Sequence, residues 1–345
     1  MTALAVHSIS AAAHRRAARR RTVVCAVLSA LLVSAFCVSI SVGDFTVPLS
    51  DVVAAVFGFG SDDADFIVRT LRLPRALTGV LVGVAFGLSG TIFQTLAHNP
   101  LASPDIIGID AGAGAAAVFC IIILDTTAGI TALGALGGAL VAALAIYVLA
   151  WRSGVSPYRL LLVGIGVAAV LTAVTQYLLT RAEIFEAQRA VVWLTGSLNG
   201  RGWDDVRTGL VAVVVLVPAL ALLVRSLRMM QLGDDAAKGL GVRVERDRLL
   251  LVLVAVAFAA LATAAAGPII FVAFVAGPIA RRLTNDPLAI WTSALVGALV
   301  VVLSDILARR LFAPTELPVG VITGIVGAPY LLWLLARTNR AGRGG

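Results

Sequence analysis

Residues 76–96 read ALTGVLVGVAFGLSGTIFQTL, and this stretch decides the fold. It carries no Asp, Glu, Lys, Arg or His. As a helix rising 1.5 Å per residue it is long enough to cross the ~30 Å hydrocarbon layer of a bilayer. Gly79, Gly83 and Gly87 recur at every fourth position. That spacing puts small residues on one helix face and lets a neighbouring backbone come close. The stretch therefore reads as a transmembrane helix packed inside a bundle. Gly320, Gly324 and Gly327 give the last apolar run a similar stripe.

The rest of the chain is built alike. Of its 345 residues 60% are hydrophobic and 13% charged, with a mean hydropathy of +1.00. A soluble domain carries about 25% charged residues. Clear spans lie at 22–42, 76–96, 128–150, 160–180, 208–224, 249–266, 288–307 and 318–336. Two segments are marginal. Residues 111–124 are short, and 267–281 hold Pro268 and Pro278. Lys and Arg arbitrate. With ten spans and the N-terminus inside, the inner segments hold five in the N-terminal tail, two in 151–159, six in 225–248, two in 281–287 and three in the C-terminal tail, or 18 of the 27; nine lie outside. Omitting both marginal segments gives 14 inside and 13 outside. Positive charge concentrates on the cytoplasmic side of membrane proteins. The fold class expected is an all-α integral membrane protein of about ten helices, with both termini cytoplasmic. Its organisation is a basic tail 1–21, one transmembrane domain 22–336 with a cytoplasmic loop 225–248, and a tail 337–345. The formal charge of +8 is membrane topology rather than a nucleic-acid signal. The apolar run after Arg15, Arg16, Arg19, Arg20 and Arg21 exceeds a signal-peptide core of about 7–15 residues, so it reads as an uncleaved first helix.

Most catalytic chemistry has no residues to work with. Lys238 is the only lysine, and Gly233 and Gly239 around it do not make a G-x-x-x-x-G-K-[ST] phosphate loop. Cys25, Cys37 and Cys120 lie in apolar segments and form no C-x-x-C pair, while His7, His14 and His98 are scattered. No metal site, cofactor or enzymatic centre is expected. Asp305 stands out as an ionisable group in a span, placed to pair with Arg309 or Arg310 near its outer end. If transport is energised, the energy enters from another chain.

Two surfaces invite partners. In the loop 225–248, Asp234 and Asp235 favour a helix start at Ala236, and Gly239 or Gly241 can end it. A short amphiphilic helix results, flanked by charge. On the outer side lie Arg69, Arg72, Arg75, Arg309 and Arg310, against the general bias; they suit bidentate recognition of carboxylates or ordinary interfacial snorkelling.

At these residues the chain resembles the iron–siderophore/cobalamin permease family, the FecCD/BtuC type of ABC importer subunit. The resemblance runs over five ordered blocks: LRLPRALTGVLVGVAFGLSGTIFQTLAHNPLASPDIIGIDAGAG at 71–114, WLTGSLNGRGW at 193–203, LGDDAAKGLGVRVERDR at 232–248, AGPIIFVAFVAGPIARRL at 266–283 and ELPVGVITGIVGAPYLLWLL at 316–335. The G-S-L-N-G and L-G-D-D stretches look closest to the ferric-enterobactin branch. The resemblance implies a type II importer fold of ten helices and a dimer with a second permease subunit around a central pathway. It also implies two cytoplasmic ATPase subunits below and an extracytoplasmic siderophore-binding protein above. It further implies that Asp234, Asp235, Ala236, Lys238, Gly239, Leu240 and Gly241 contact the ATPase, and that Arg72, Arg75, Arg309 and Arg310 dock the binding protein. The pathway candidates are the second, fifth and tenth spans, including Gln94, Thr172, Thr175 and Gln176, which serve equally well as helix–helix glue. One block departs from the family pattern. Gly277 and Pro278 stand where many relatives have Pro and His, which moves the expected helix break by one residue. A cobalamin or haem cargo, an ATP-independent carrier and a membrane-embedded enzyme are the competing readings.

Overall fold

The computed structural model describes residues 3–43, 47–57, 59, 61–152 and 157–341. The last four residues of the expected C-terminal tail and 153–156 of the inner segment 151–159 lie outside this range. The helices run α1 Ala3–Ser41, α2 Leu49–Phe57, α3 Asp62–Asp65, α4 Leu73–Leu96, α5 Pro104–Ile107, α6 Ile109–Ile122, α7 Ala128–Ala150, α8 Pro157–Arg181, α9 Ile184–Leu194, α10 Trp203–Met230, α11 Asp234–Gly239, α12 Val244–Ala266, α13 Val272–Thr284, α14 Ile290–Arg310 and α15 Val319–Ala341. Each of the ten apolar segments falls on a helix, except that residues 267–271 of the second marginal one precede theirs. Among the described residues seven helices are long and apolar enough to cross a membrane unaided, and Ile109–Ile122 and Val319–Leu334 are shorter apolar helices. The basic N-terminal stretch is helical. From Ala3 it is the first part of a continuous 39-residue α1.

The centre is α4, flanked by α12, α13 and α14, and the glycine stripe is the reason. The stripe faces α14 antiparallel. A Cβ added at Gly83 would stand 2.5 Å from Ala298 Cα, and one at Gly87 would collide with the Ser293 carbonyl oxygen. Backbone contact this close gives dispersion its short range and lets side chains reach the opposing carbonyls. Ser89 Oγ donates to Ala255 O at 2.7 Å, and Ser293 Oγ shares its hydrogen between Ile290 O of its own helix at 2.7 Å and Gly87 O at 3.1 Å. Such interhelical bonds are worth about 0.6 kcal/mol each in a membrane bundle. A second tight pair joins α6 to α7, also antiparallel, where Gly112 and Gly138 face each other. By contrast α7, α8 and α10 leave most of their apolar surface uncovered.

Two termini meet at one end. Arg20 Nε donates to Leu283 O at 2.8 Å, and the Arg282 guanidinium lies 4.6 Å from the Trp333 ring centroid. Arg72, Arg75 and Arg309 mark the opposite end. The expected helix break at Gly277–Pro278 is absent. Helix α13 runs through Pro278, and the irregular backbone sits earlier, where Gly267 and Phe271 have φ of 74° and 67°. The second marginal span is therefore a short helix entered by a non-helical loop in which Gly267, Pro268 and Ile269 are buried in protein, a setting in which the membrane interior tolerates irregular backbone.

Candidate functional site

The loop 225–248 folds as anticipated in kind, with a shifted start. Helix α11 begins at Asp234, and Gly233 at φ 98°, ψ 156° takes the preceding position. That conformation is open to glycine alone. The end is a Schellman motif. Val242 N donates to Ala237 O at 3.0 Å and Gly241 N to Lys238 O at 2.9 Å, with Gly241 at φ 85°. Two anchors fix this short helix to the bundle. Ala237 is fully buried, and Arg248 at the start of α12 donates to Asp234 Oδ1. This hydrogen bond holds the Asp234 carboxyl below its ordinary 3.8. Asp235, Ala236, Lys238, Gly239, Leu240 and Gly241 are all exposed. Leu240 and Leu232, 61% and 64% exposed, put two apolar knobs on a charged surface.

At the other end the four outer arginines come together, and three of them turn inward. Arg75 lies between Asp305, at 2.9 Å, and Glu316, at 3.0 Å. Arg309 meets the other oxygen of Asp305 at 3.1 Å and donates to Ser39 Oγ at 2.7 Å. Arg72 donates to Ile40 O at 2.8 Å, and Arg310 to Gly43 O at 2.8 Å. These carbonyl acceptors are Ile40, at the end of α1, and Gly43, two residues beyond it, where a helix leaves oxygens unsatisfied and its dipole favours cations. Local sequence explains how Arg72 and Arg75 get there. Pro74 would drive its ring into the carbonyl four residues back. The chain widens into a π-helical stretch, Phe66–Arg72, just before it, with Leu73 N bonding Val68 O. Of the four arginines only Arg310 is exposed.

The pathway candidates divide. Gln94 is buried and donates from Nε2 to Phe274 O at 2.9 Å, while its Oε1 accepts from Arg281 Nη2 at 2.8 Å. It ties α4 to α13, and the missing Cβ of Gly277 makes the room. Thr175 turns back to Leu171 O at 2.9 Å. Thr172 and Gln176 are exposed on α8, free for water, substrate or a partner subunit. Spacing gave no warning of Asp110. It is buried, and Thr263 Oγ1 donates to it at 2.9 Å; the two residues are 153 positions apart, so no local pattern exposes the pair. Also unread was α9, a helix within the outer segment 181–207. It forms one wall of a cavity of about 830 Å³ whose lining includes Phe185, Gln188, Arg189, Trp193, Asn199 and Arg201. Burial lowers the Arg201 guanidinium, and nearby Asp205 offsets this. A ligand pocket spans about 300–1,000 Å³.

A multi-helix membrane domain with a built surface helix at one end and a mouth at the other is the architecture of a permease subunit. Residues 31–337 match the FecCD transport family, and the chain belongs to that family. It is 41% identical over 325 residues to the ferric enterobactin transport system permease protein FepG of Escherichia coli, covering 93% of this chain and 98% of that one. It is 42% identical over 315 residues to the achromobactin transport system permease protein CbrC of Dickeya dadantii, covering 90% of each. The cobalamin import system permease protein BtuC of Halobacterium salinarum is 36% identical over 292 residues, or 83% of this chain and 78% of that one. A solved metal-chelate type ABC transporter in an inward-facing conformation superposes with a TM-score of 0.78 at 24% identity, over 92% of this chain and 99% of that one. The protein is thus a non-catalytic, multi-pass permease subunit of an inner-membrane ABC importer. ATP hydrolysis belongs to a separate chain, and a second permease subunit completes the assembly.

Proposed function

We propose that the chain carries a ferric siderophore, of the catecholate type, across the cytoplasmic membrane by alternating access. The observation that carries the cargo is the 41% identity to a ferric enterobactin permease along nearly the whole of both chains. A siderophore-binding protein delivers the chelate at the outer mouth, where Arg310 is the accessible docking cation. ATP-driven closure of the partner subunits presses on α11. The push passes through Ala237 and the Asp234–Arg248 pair into α12. Thr172 and Gln176 then face the pathway between this chain and the second permease. Cobalamin is the second reading, supported by the identity to a cobalamin import permease.

The test is radioactive-iron uptake by cells lacking this gene, offered catecholate, hydroxamate and citrate chelates, with labelled cobalamin in parallel. Complementation with wild type should restore one ferric-chelate class. Complementation with Lys238→Glu and Gly241→Trp together should not, although the protein is made and inserted. Selective loss of cobalamin uptake moves the cargo to the second reading, and full rescue by the double variant refutes the role of α11.

A further inference from the structure

Near the end where the termini meet, a cavity of about 550 Å³ opens between α1 and α10, floored by the first turn of α14. The proposed transport route does not use it. Its rim carries Arg21 on α1 and Arg228 on α10, with Asp286 between α13 and α14. Arg21 is half exposed and reaches Asp286 at only 3.7 Å. Asp286 in turn accepts from Leu288 N at 3.1 Å. Arg228 is exposed and makes no ion pair or hydrogen bond among the described residues. The rim therefore holds two guanidiniums against one carboxylate that is partly engaged elsewhere. Below them Cys25 and Ser29 line the wall, and Trp291, 44% exposed, stands beside the floor.

The depth of this cavity matters as much as its charge. Thr22 begins the apolar run of α1, and that of α10 ends at Val224, one turn before Arg228, so the rim lies at the membrane boundary and the interior lies within the leaflet. The α1 face that lines it, Thr22, Ala26 and Ser29, continues one turn further to Val33, which is apolar and 62% exposed. A phosphate group at the rim with hydrocarbon running along α1 satisfies both halves. Trp at an interface anchors the boundary between them. Basic pockets between transmembrane helices on the cytoplasmic side suit anionic lipid headgroups.

We infer that this cavity binds an anionic phospholipid of the inner leaflet, with Arg21 and Arg228 holding its phosphate. The shared chemistry is a phosphate anion, and the attached acyl chains distinguish the lipid from free phosphate. The test uses the full chain purified with its ATPase, delipidated, and titrated with phosphatidylglycerol, phosphatidylcholine or inorganic phosphate under native mass spectrometry. Phosphatidylglycerol should bind at least several-fold tighter than phosphatidylcholine, and millimolar phosphate should not displace it. Arg21→Gln with Arg228→Gln should weaken phosphatidylglycerol roughly thirtyfold, as two lost surface cations imply. Arg225→Gln, outside the cavity, should not. Ser29→Trp fills the cavity without altering charge and should weaken the lipid with thermal unfolding unchanged, a readout that survives if the arginine pair variant misfolds. Equal binding of the two lipids, indifference to Ser29→Trp, or displacement by phosphate would each overturn the assignment.

Discussion

Asp305→Asn is the substitution whose cost can be worked furthest. Asp305 is 2% exposed and faces two guanidiniums, Arg75 and Arg309, whose side chains are 11% and 10% exposed. Removing one member of a buried ionic group costs about 3–5 kcal/mol, mostly because the charge left behind has already lost its water. Both arginines keep other acceptors here: Arg75 has Glu316, and Arg309 has Ser39. This places the expected cost at the low end, about 3 kcal/mol, or roughly a hundredfold in the folded-to-unfolded ratio. Glu316→Gln removes a carboxylate that is 35% exposed and should cost below about 1 kcal/mol. The assay is reversible unfolding in detergent micelles with increasing dodecyl sulfate, followed by tryptophan fluorescence, for wild type and both variants. A cost for Asp305→Asn no greater than that for Glu316→Gln would refute the reasoning. It would mean that the outer cluster is solvated and does not bind α1 and α4 to α14.

Other consequences are as direct. Gly83→Val should abolish folded protein on size-exclusion chromatography in detergent, because its side chain meets Ala298 and the Gly297 carbonyl, whereas Gly137→Ala, with nothing within 4 Å, should be silent. The Asp234–Arg248 bond should have a one-sided pH profile. A carboxylate lowered on folding stabilises above its ordinary 3.8, and that contribution disappears as the pH falls through the depressed value. Thermal unfolding of wild type and Asp234→Asn should therefore differ by a constant amount from neutral pH down to about 4, and converge only below it; a difference that is already lost near pH 6 would contradict the pairing. Lys238→Glu, on an exposed face, should leave thermal stability unchanged and lower substrate-stimulated ATPase activity of the assembled transporter.

The bundle was legible because lipid imposes long uncharged helices, and the glycine stripe of α4 carries its packing partner's proximity in its own spacing. The end of α11 was legible, since Gly239 and Gly241 marked it, but its start lies two residues before the expected Ala236, where Gly233 takes a backbone conformation that few other residues adopt. The outer arginines show where such reading stops. Their clustering was visible, but their attachment to α1 was not, because the acceptors are carbonyl oxygens that every residue has. The same holds for Asp110 and Thr263, joined across 153 positions by folding alone. Pro278 misled for a related reason. A proline signals a missing donor, yet whether the helix breaks or continues depends on what surrounds it, and α13 continues.

The small-residue composition of the central helices has a further consequence, in entropy and mechanics. Buried positions along α4, α12 and α14 are largely Gly, Ala, Val, Ser and Thr. Glycine and alanine have no rotamers to freeze, and valine has few. Assembling this pillar therefore sacrifices little side-chain freedom, which matters in lipid, where no large hydrophobic gain is left to offset such a loss. The same poverty of rotamers removes slack. A displacement delivered to α12 at its Arg248 end meets few side chains with rotamers to absorb it, the larger buried ones being Phe86, Leu88, Ile92, Leu251 and Phe258, so the pillar is suited to act as a strut toward the opposite face.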